Sequence, residues 1–195
     1  MKHLIRLILW CCCLSGLVAP APAEAPSAVR LRDPAGRVVE PLADHGQMAT
    51  VLFFLTTECP VGNRYAPEIA RIVQAYQKRG VVFFGVYATE KATEISRHLR
   101  EYHLPLTALP DPALQLAKRT GATVTPEACV LSPAGKVLYR GRIDDRASKL
   151  GAPMRAEPVV RDLRLALDAV LVGKPVAVTF TKPIGCYIAP ATNVE

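Results

Sequence analysis

Four things are missing from this chain of 195 residues: a block of like charges, an apolar run of membrane-spanning length, an internal repeat, and any Cys-x-x-Cys or Cys-x-x-x-Cys pair. Each absence removes a class of function. The arginines are scattered through Arg30, Arg64, Arg71, Arg97, Arg119, Arg142 and Arg161, so the net charge of +7 speaks for solubility and against a nucleic-acid partner. The main N-terminal apolar run, Leu7 to Val18, is shorter than the roughly 20 residues a spanning helix needs, so no stable membrane span is expected in the mature chain. Without Cys-x-x-Cys no disulfide can close within one motif, and without Cys-x-x-Cys-His no haem is attached. His98 and His103 stand five apart and cannot share a helix face as metal ligands would. No metal and no cofactor beyond a reductant is therefore expected.

What is present begins with a leader. Lys2 and Arg6 precede the apolar run, and small residues and prolines follow it to Ala21-Pro22-Ala23, the layout of a cleaved secretory signal. The expected organisation is a signal peptide over 1–23, a linker over 24–28, one domain over 29–174 and a tail over 175–195. Cys11, Cys12 and Cys13 read as apolar signal residues lost with the leader. That leaves Cys59, Cys129 and Cys186, an odd count for an oxidising compartment, so at least one thiol is free or pairs transiently.

Within the domain the pattern alternates. Val29–Arg32 and Arg37–Val39 flank Asp33-Pro34-Ala35-Gly36 and predict a hairpin. Ala49 to Thr56 and Val81 to Tyr87 are continuous apolar runs, the signature of strands covered on both faces. Ile69, Ile72, Val73 and Tyr76 follow helical spacing, closed by Lys78-Arg79-Gly80. Further helices are predicted over Thr93–Tyr102, from Asp111-Pro112 to Arg119, and over Val159–Leu171, with a second hairpin joining Glu127–Leu131 to Lys136–Arg140 through Ser132-Pro133-Ala134-Gly135. This order predicts an α/β sandwich with a mixed central sheet flanked by helices and an N-terminal hairpin extension. The tail from Pro175 carries no clear period.

The chemistry centres on Thr56-Thr57-Glu58-Cys59-Pro60-Val61-Gly62-Asn63, where a strand runs into a lone cysteine with a helix to follow. Unpaired amides and the dipole at a helix start favour the thiolate, the reactive form of cysteine. Glu58 opposes that ionisation, leaving the helix terminus, Arg64 and Arg142 as candidates to lower the thiol's pKa. Cys186, preceded by Gly185, has two readings: a resolving thiol for Cys59, or a free or intermolecularly paired tail cysteine. Cys129, mid-strand between Ala128 and Val130, reads as a small apolar filler. Asp144 and Asp145 read as a solvated turn, Tyr65, Tyr76 and Tyr87 as packing residues, and Asn63 and Arg64 as the start of the helix.

The cysteine after the first core strand, with Val124-Thr125-Pro126 before the second hairpin, resembles the thioredoxin fold. Thr-Thr-Glu-Cys-Pro, Thr-Pro-Glu and Tyr-Arg-Gly-Arg-Ile-Asp-Asp are more closely similar to a secreted bacterial branch of the redoxins, relatives of alkyl hydroperoxide reductase and the peroxiredoxins. The resemblance covers about Val29 to Cys186. It implies that Pro126 is the cis-proline that packs against the reactive sulfur, that Thr56, three before Cys59, orients a peroxide, and that the protein is exported to the periplasm. The chain departs from both patterns. Gly62 replaces the second thioredoxin cysteine, Leu52 replaces the peroxiredoxin proline, and Pro126 falls where the peroxiredoxin arginine is expected.

The implied function is a thiol-dependent oxidoreductase in which Cys59 attacks a peroxide or a disulfide, with Cys186 or an external thiol resolving the product. Its partners are then an external thiol reductant or a partner-protein disulfide. The alternative is a non-catalytic thioredoxin-fold module that binds a periplasmic partner, motivated by loss of the second motif cysteine and of the arginine. The Cys59 pKa separates the two, since a catalytic thiol needs a depressed value.

Overall fold

The computed structural model describes residues 29–189. The expected signal peptide, the linker and the last six residues of the tail lie outside the described residues. The chain runs β1 (Leu31–Arg32), β2 (Val38–Val39), β3 (Ala49–Leu55), α1 (Pro60–Tyr76), β4 (Val81–Tyr87), α2 (Ala92–Glu101), β5 (Thr107–Pro110), α3 (Gln115–Thr120), β6 (Val124–Thr125), β7 (Glu127–Leu131), β8 (Val137–Gly141), α4 (Asp162–Leu171) and β9 (Cys186–Tyr187). Five strands form the central sheet in the order β5-β4-β3-β7-β8. β3 is parallel to β4 and antiparallel to β7, so the sheet is mixed as expected.

The two buried apolar runs become the two central strands because their side chains alternate between two covered faces. Val51, Phe53 and Leu55 of β3 point to one side, where Ile69, Ile72 and Val73 of α1 and Leu163 and Leu167 of α4 complete a core. Leu52 and Phe54 point to the other, against Leu116 and Ala117 of α3 and Val29, Leu31 and Leu42 of the hairpin region. Each such buried Phe or Leu stabilises the fold by about 1.5–3 kcal/mol. Leu52, the residue standing at a proline position in the peroxiredoxin pattern, is fully buried here and holds the second layer together.

Local chemistry sets the element ends. Pro60 occupies the first turn of α1, where its missing N–H costs nothing, so the helix starts directly after Cys59 and earlier than the apolar period from Tyr65 suggests. Asp111 accepts hydrogen bonds from the amides of Gln115 and Leu116, both at 2.8 Å, and so anchors α3 as expected of an Asp-Pro start. Gly80, with φ of 85°, closes the turn after α1.

The tail departs from its aperiodic sequence, because it is held by backbone pairing and not by an apolar stripe. Thr179 and Thr181 exchange hydrogen bonds with the backbone of Arg140 on the outer edge of β8. The chain then crosses to β6, where β9 pairs antiparallel and brings Thr125 opposite Cys186. Two glycines permit this approach. A Cβ on Gly141 would overlap the Thr181 backbone, and one on Gly185 would overlap the Thr125 carbonyl.

Gly185→Ala is therefore expected to detach β9 from β6 while leaving the central sheet intact. Hydrogen exchange checks it at the Ile188 amide, which donates to the Thr123 carbonyl at 2.9 Å. Protection there should fall at least about tenfold, or about 1.4 kcal/mol of local opening energy; unchanged protection would show that the tail docks by other contacts.

Candidate active site

Cys59 is the N-cap residue of α1, with extended backbone angles, and its sulfur accepts a hydrogen bond from the Gly62 amide at 3.4 Å. A side-chain oxygen usually fills this position; here sulfur takes an amide that the first helical turn leaves unpartnered. When protonated, the thiol donates to the Thr125 carbonyl at 3.1 Å. Cys59 is only 1% exposed. A Cβ at Gly62 would make only ordinary contacts, 3.5 Å from the Cys59 Cβ and 3.9 Å from the Pro126 ring, so the position serves the sulfur through its amide.

The four residues singled out from the sequence converge. The Thr125–Pro126 bond is cis, in agreement with the resemblance. Thr56, Cys59, Thr125 and Cys186 line one cleft of about 290 Å³, together with Glu90 and Tyr187. The tail sets Cys186 opposite Thr125 and so into the cleft that Cys59 lines. The register of β9 on β6 accounts for this meeting, because Thr125 is at once the partner of Cys186 and the acceptor for Cys59.

The two thiols shift in opposite directions. Burial pushes Cys59 up, but the amides of Gly62, Cys186 and Val61 and the Cys186 thiol outweigh it and hold Cys59 below the ordinary thiol range. Burial raises Cys186, and its role as donor to the Cys59 sulfur raises it further. Of the two, Cys59 is the thiol shifted toward easier ionisation and Cys186 the one shifted away from it. The arginines expected to help do not. Arg142 is committed to Asp162 at 2.7 Å, and Arg64 is exposed on the outer side of α1.

Cys129 is fully buried and its thiol is pushed up to about 12 by that burial, the behaviour of an apolar filler. Asp144, in contrast, is not part of a solvated turn. It is 2% exposed, accepts a hydrogen bond from the Tyr65 hydroxyl at 2.6 Å and pairs with Arg146 at 2.9 Å. A carboxylate three residues after a glycine looks solvated in sequence; only the packing of α1 over it reveals the partners.

One arrangement has no sequence signal. The Tyr87 hydroxyl meets Nδ1 of His98 at 2.9 Å, Nε2 of His98 meets the Asn63 side-chain oxygen at 2.8 Å, and the Asn63 amide donates to the Thr57 carbonyl at 3.0 Å. Glu90 accepts from the Thr57 amide at 2.9 Å. Burial lowers the His98 pKa, against the pull of Glu90 and Glu101, which favours the neutral ring. Tyr87 and Asn63 thus do more than pack and start the helix: with His98 and Glu90 they hold the turn that precedes Cys59.

A strand-to-helix cysteine beside a cis-proline, on a mixed sheet with helices on both faces, defines a thioredoxin-fold redoxin. Residues 24–140 match the family model described as the AhpC/TSA family, and the chain belongs to that family. The match ends before the tail that carries Cys186. Among solved structures, the chain is similar to a hypothetical protein from Sinorhizobium meliloti (25% identity, TM-score 0.72, covering 86% of this chain and 92% of that one). It is similar to an uncharacterized conserved protein from Geobacillus kaustophilus (27% identity, TM-score 0.71, 90% and 94% covered). A secreted Mycobacterium tuberculosis disulfide oxidoreductase homologous to Escherichia coli DsbE shares the fold at 17% identity, with a TM-score of 0.52 and 75% and 96% covered. No curated protein matches the sequence.

Thiolate absorbance followed against pH, with Cys59→Ser as the blank, is expected to give a Cys59 midpoint below the value of about 8.5 for free cysteine. Cys186→Ala removes one donor to the sulfur and leaves the backbone amide, so the midpoint should rise. A fall in that variant would contradict the assigned direction of the Cys59–Cys186 hydrogen bond.

Proposed function

We propose that this protein is a thiol-dependent oxidoreductase in which Cys59 is the attacking thiolate and Cys186 the resolving thiol, with a small hydroperoxide as the preferred oxidant. The observation that carries this is the seating of β9 on β6, which brings Cys186 into the cleft of the helix-capping Cys59, and the opposed shifts of the two thiols agree with it. A depressed Cys59 favours turnover over the binding-module alternative. The near-complete burial of Cys59 beneath β9 favours a small oxidant over a protein disulfide.

In the first step the Cys59 thiolate attacks the nearer peroxide oxygen. The O–O bond breaks and the departing alkoxide takes a proton to leave as an alcohol, or as water from hydrogen peroxide. Cys59 is oxidised to a sulfenic acid and the peroxide is reduced by two electrons. Thr56, on the cleft wall, is placed to hydrogen-bond the peroxide. In the second step the Cys186 sulfur attacks the Cys59 sulfur, an S–S bond forms and water departs. An external dithiol then returns two electrons to the Cys59–Cys186 disulfide. If a disulfide is the oxidant, Cys59 instead forms a mixed disulfide and expels one thiolate, and Cys186 displaces the second. The reading of residues 1–23 as a secretory signal places this chemistry in the periplasm, where a disulfide resting state persists.

Peptide mass spectrometry after one equivalent of hydrogen peroxide tests the scheme. The wild type is expected to lose two hydrogens as a Cys59–Cys186 disulfide. Cys186→Ser should stop at a Cys59 sulfenic acid trapped by dimedone, and Cys59→Ser should leave Cys186 reduced. A Cys59 that stays a thiol while other residues oxidise overturns the peroxidase reading, and faster reaction with a small disulfide than with peroxide selects the disulfide route.

A further inference from the structure

Nine residues along α1 from Cys59, or about 13 Å at 1.5 Å per residue, the helix presents Glu68 to a second concave site. This cavity, of about 330 Å³, is lined by Glu68, Arg71, Arg146, Glu157, Arg161 and Arg164 with two small apolar residues. Glu68 is 3% exposed, and its carboxylate lies 2.8 Å from Arg71, 2.9 Å from Arg164 and 3.8 Å from Arg161. Burial raises its pKa, but Arg71 and Arg164 prevail and hold the group ionised. Three guanidiniums thus converge on one negative charge.

The fourth is more informative. Arg146 is fixed on two sides, donating to Asp144 at 2.9 Å and lying over the Tyr65 ring at 4.9 Å. Its Nη2 is buried and has no hydrogen-bond partner among the described residues. A guanidinium donor left unpaired in a buried setting is unfavourable in a purely structural ion cluster, which would spend its donors and balance its charge. Neither condition holds here. The only other acid on the wall, Glu157, is mostly exposed and engages Arg161 at 3.2 Å. Even with Asp144 counted against Arg146 from behind the wall, the balance stays positive.

We propose that this cavity binds a small oxyanion, the phosphate or carboxylate group of a ligand, between α1, the start of α4 and the loop that links β8 to α4. The planar, forked donors of arginine match two oxygens of such a group at once, and a wall already held in place loses little freedom on binding. The volume lies in the range of small-ligand sites and leaves room for an organic portion on the anion. The site shares no lining residue with the Cys59 cleft, so it stands apart from the redox chemistry.

Calorimetric titration of the full-length protein with inorganic phosphate, and separately with succinate, at one fixed ionic strength tests this. Saturable binding of at least one is expected, with a matching rise in the thermal midpoint, and the tighter of the two identifies the group recognised. Arg161→Ala should weaken that binding at least tenfold. Arg71→Gln, which leaves Arg164 paired with Glu68, should do the same and decides the matter if Arg161→Ala fails to fold. Lys118→Ala, an equal charge change on α3, should leave binding unaltered. Failure of both anions to saturate, folded arginine variants that bind as the wild type does, or an equal loss in Lys118→Ala would each overturn the proposal.

Discussion

Everything in the redox cleft depends on one constraint: a sulfur set as the cap of a helix whose first amides have no backbone partner. Cys59 occupies that point because Pro60 starts α1 immediately after β3, and proline is the residue that can begin a helix without wasting a donor. The sulfur then receives the Gly62 amide and the positive end of the helix dipole, a stabilisation of about 0.3–1 kcal/mol for a negative group at an ordinary helix start. Burial of the side chain opposes this, and Cys186 from the tail adds to the lowering that the Gly62 amide gives.

The tail is therefore a structural part of the site. Its attachment is made of backbone hydrogen bonds to the outer sheet edge and to β6, permitted by the absence of a side chain at Gly141 and Gly185. This arrangement closes two exposed strand edges, which would otherwise invite pairing with another chain. It also narrows access to Cys59. Thr125 joins these functions, since it precedes the cis peptide bond, pairs with Cys186 and accepts from Cys59.

Polar groups buried away from the sulfur follow a different logic. Tyr87, His98 and Asn63 are linked in one chain of hydrogen bonds that ends on the Thr57 carbonyl, while Glu90 accepts from the Thr57 amide, and together they fix the turn before the cysteine. The buried Glu68, paired with Arg164, ties α1 to α4. Both clusters lie on the helical layer that also carries Cys59. The layer thus sets the orientation of the sulfur from one end and gathers positive charge at the other.

Much of this was legible in the residue order because it is local physics. Strand alternation in Ala49–Leu55 and Val81–Tyr87, the turns at Asp33–Gly36 and Ser132–Gly135, and a cysteine between strand and helix are all short-range signals. They determined the fold class, the seat of Cys59 at the strand-to-helix junction and the matching cis-proline. What only tertiary structure decided are the meetings between distant segments: Cys186 on Cys59, Asp144 beneath Tyr65, His98 on Asn63, and four arginines around one cavity. The reason is that the tail and the β8–α4 loop are held by backbone pairing and buried polar contacts, which leave no hydrophobic period to read. A carboxylate or a histidine looks the same in sequence whether water or a packed helix surrounds it.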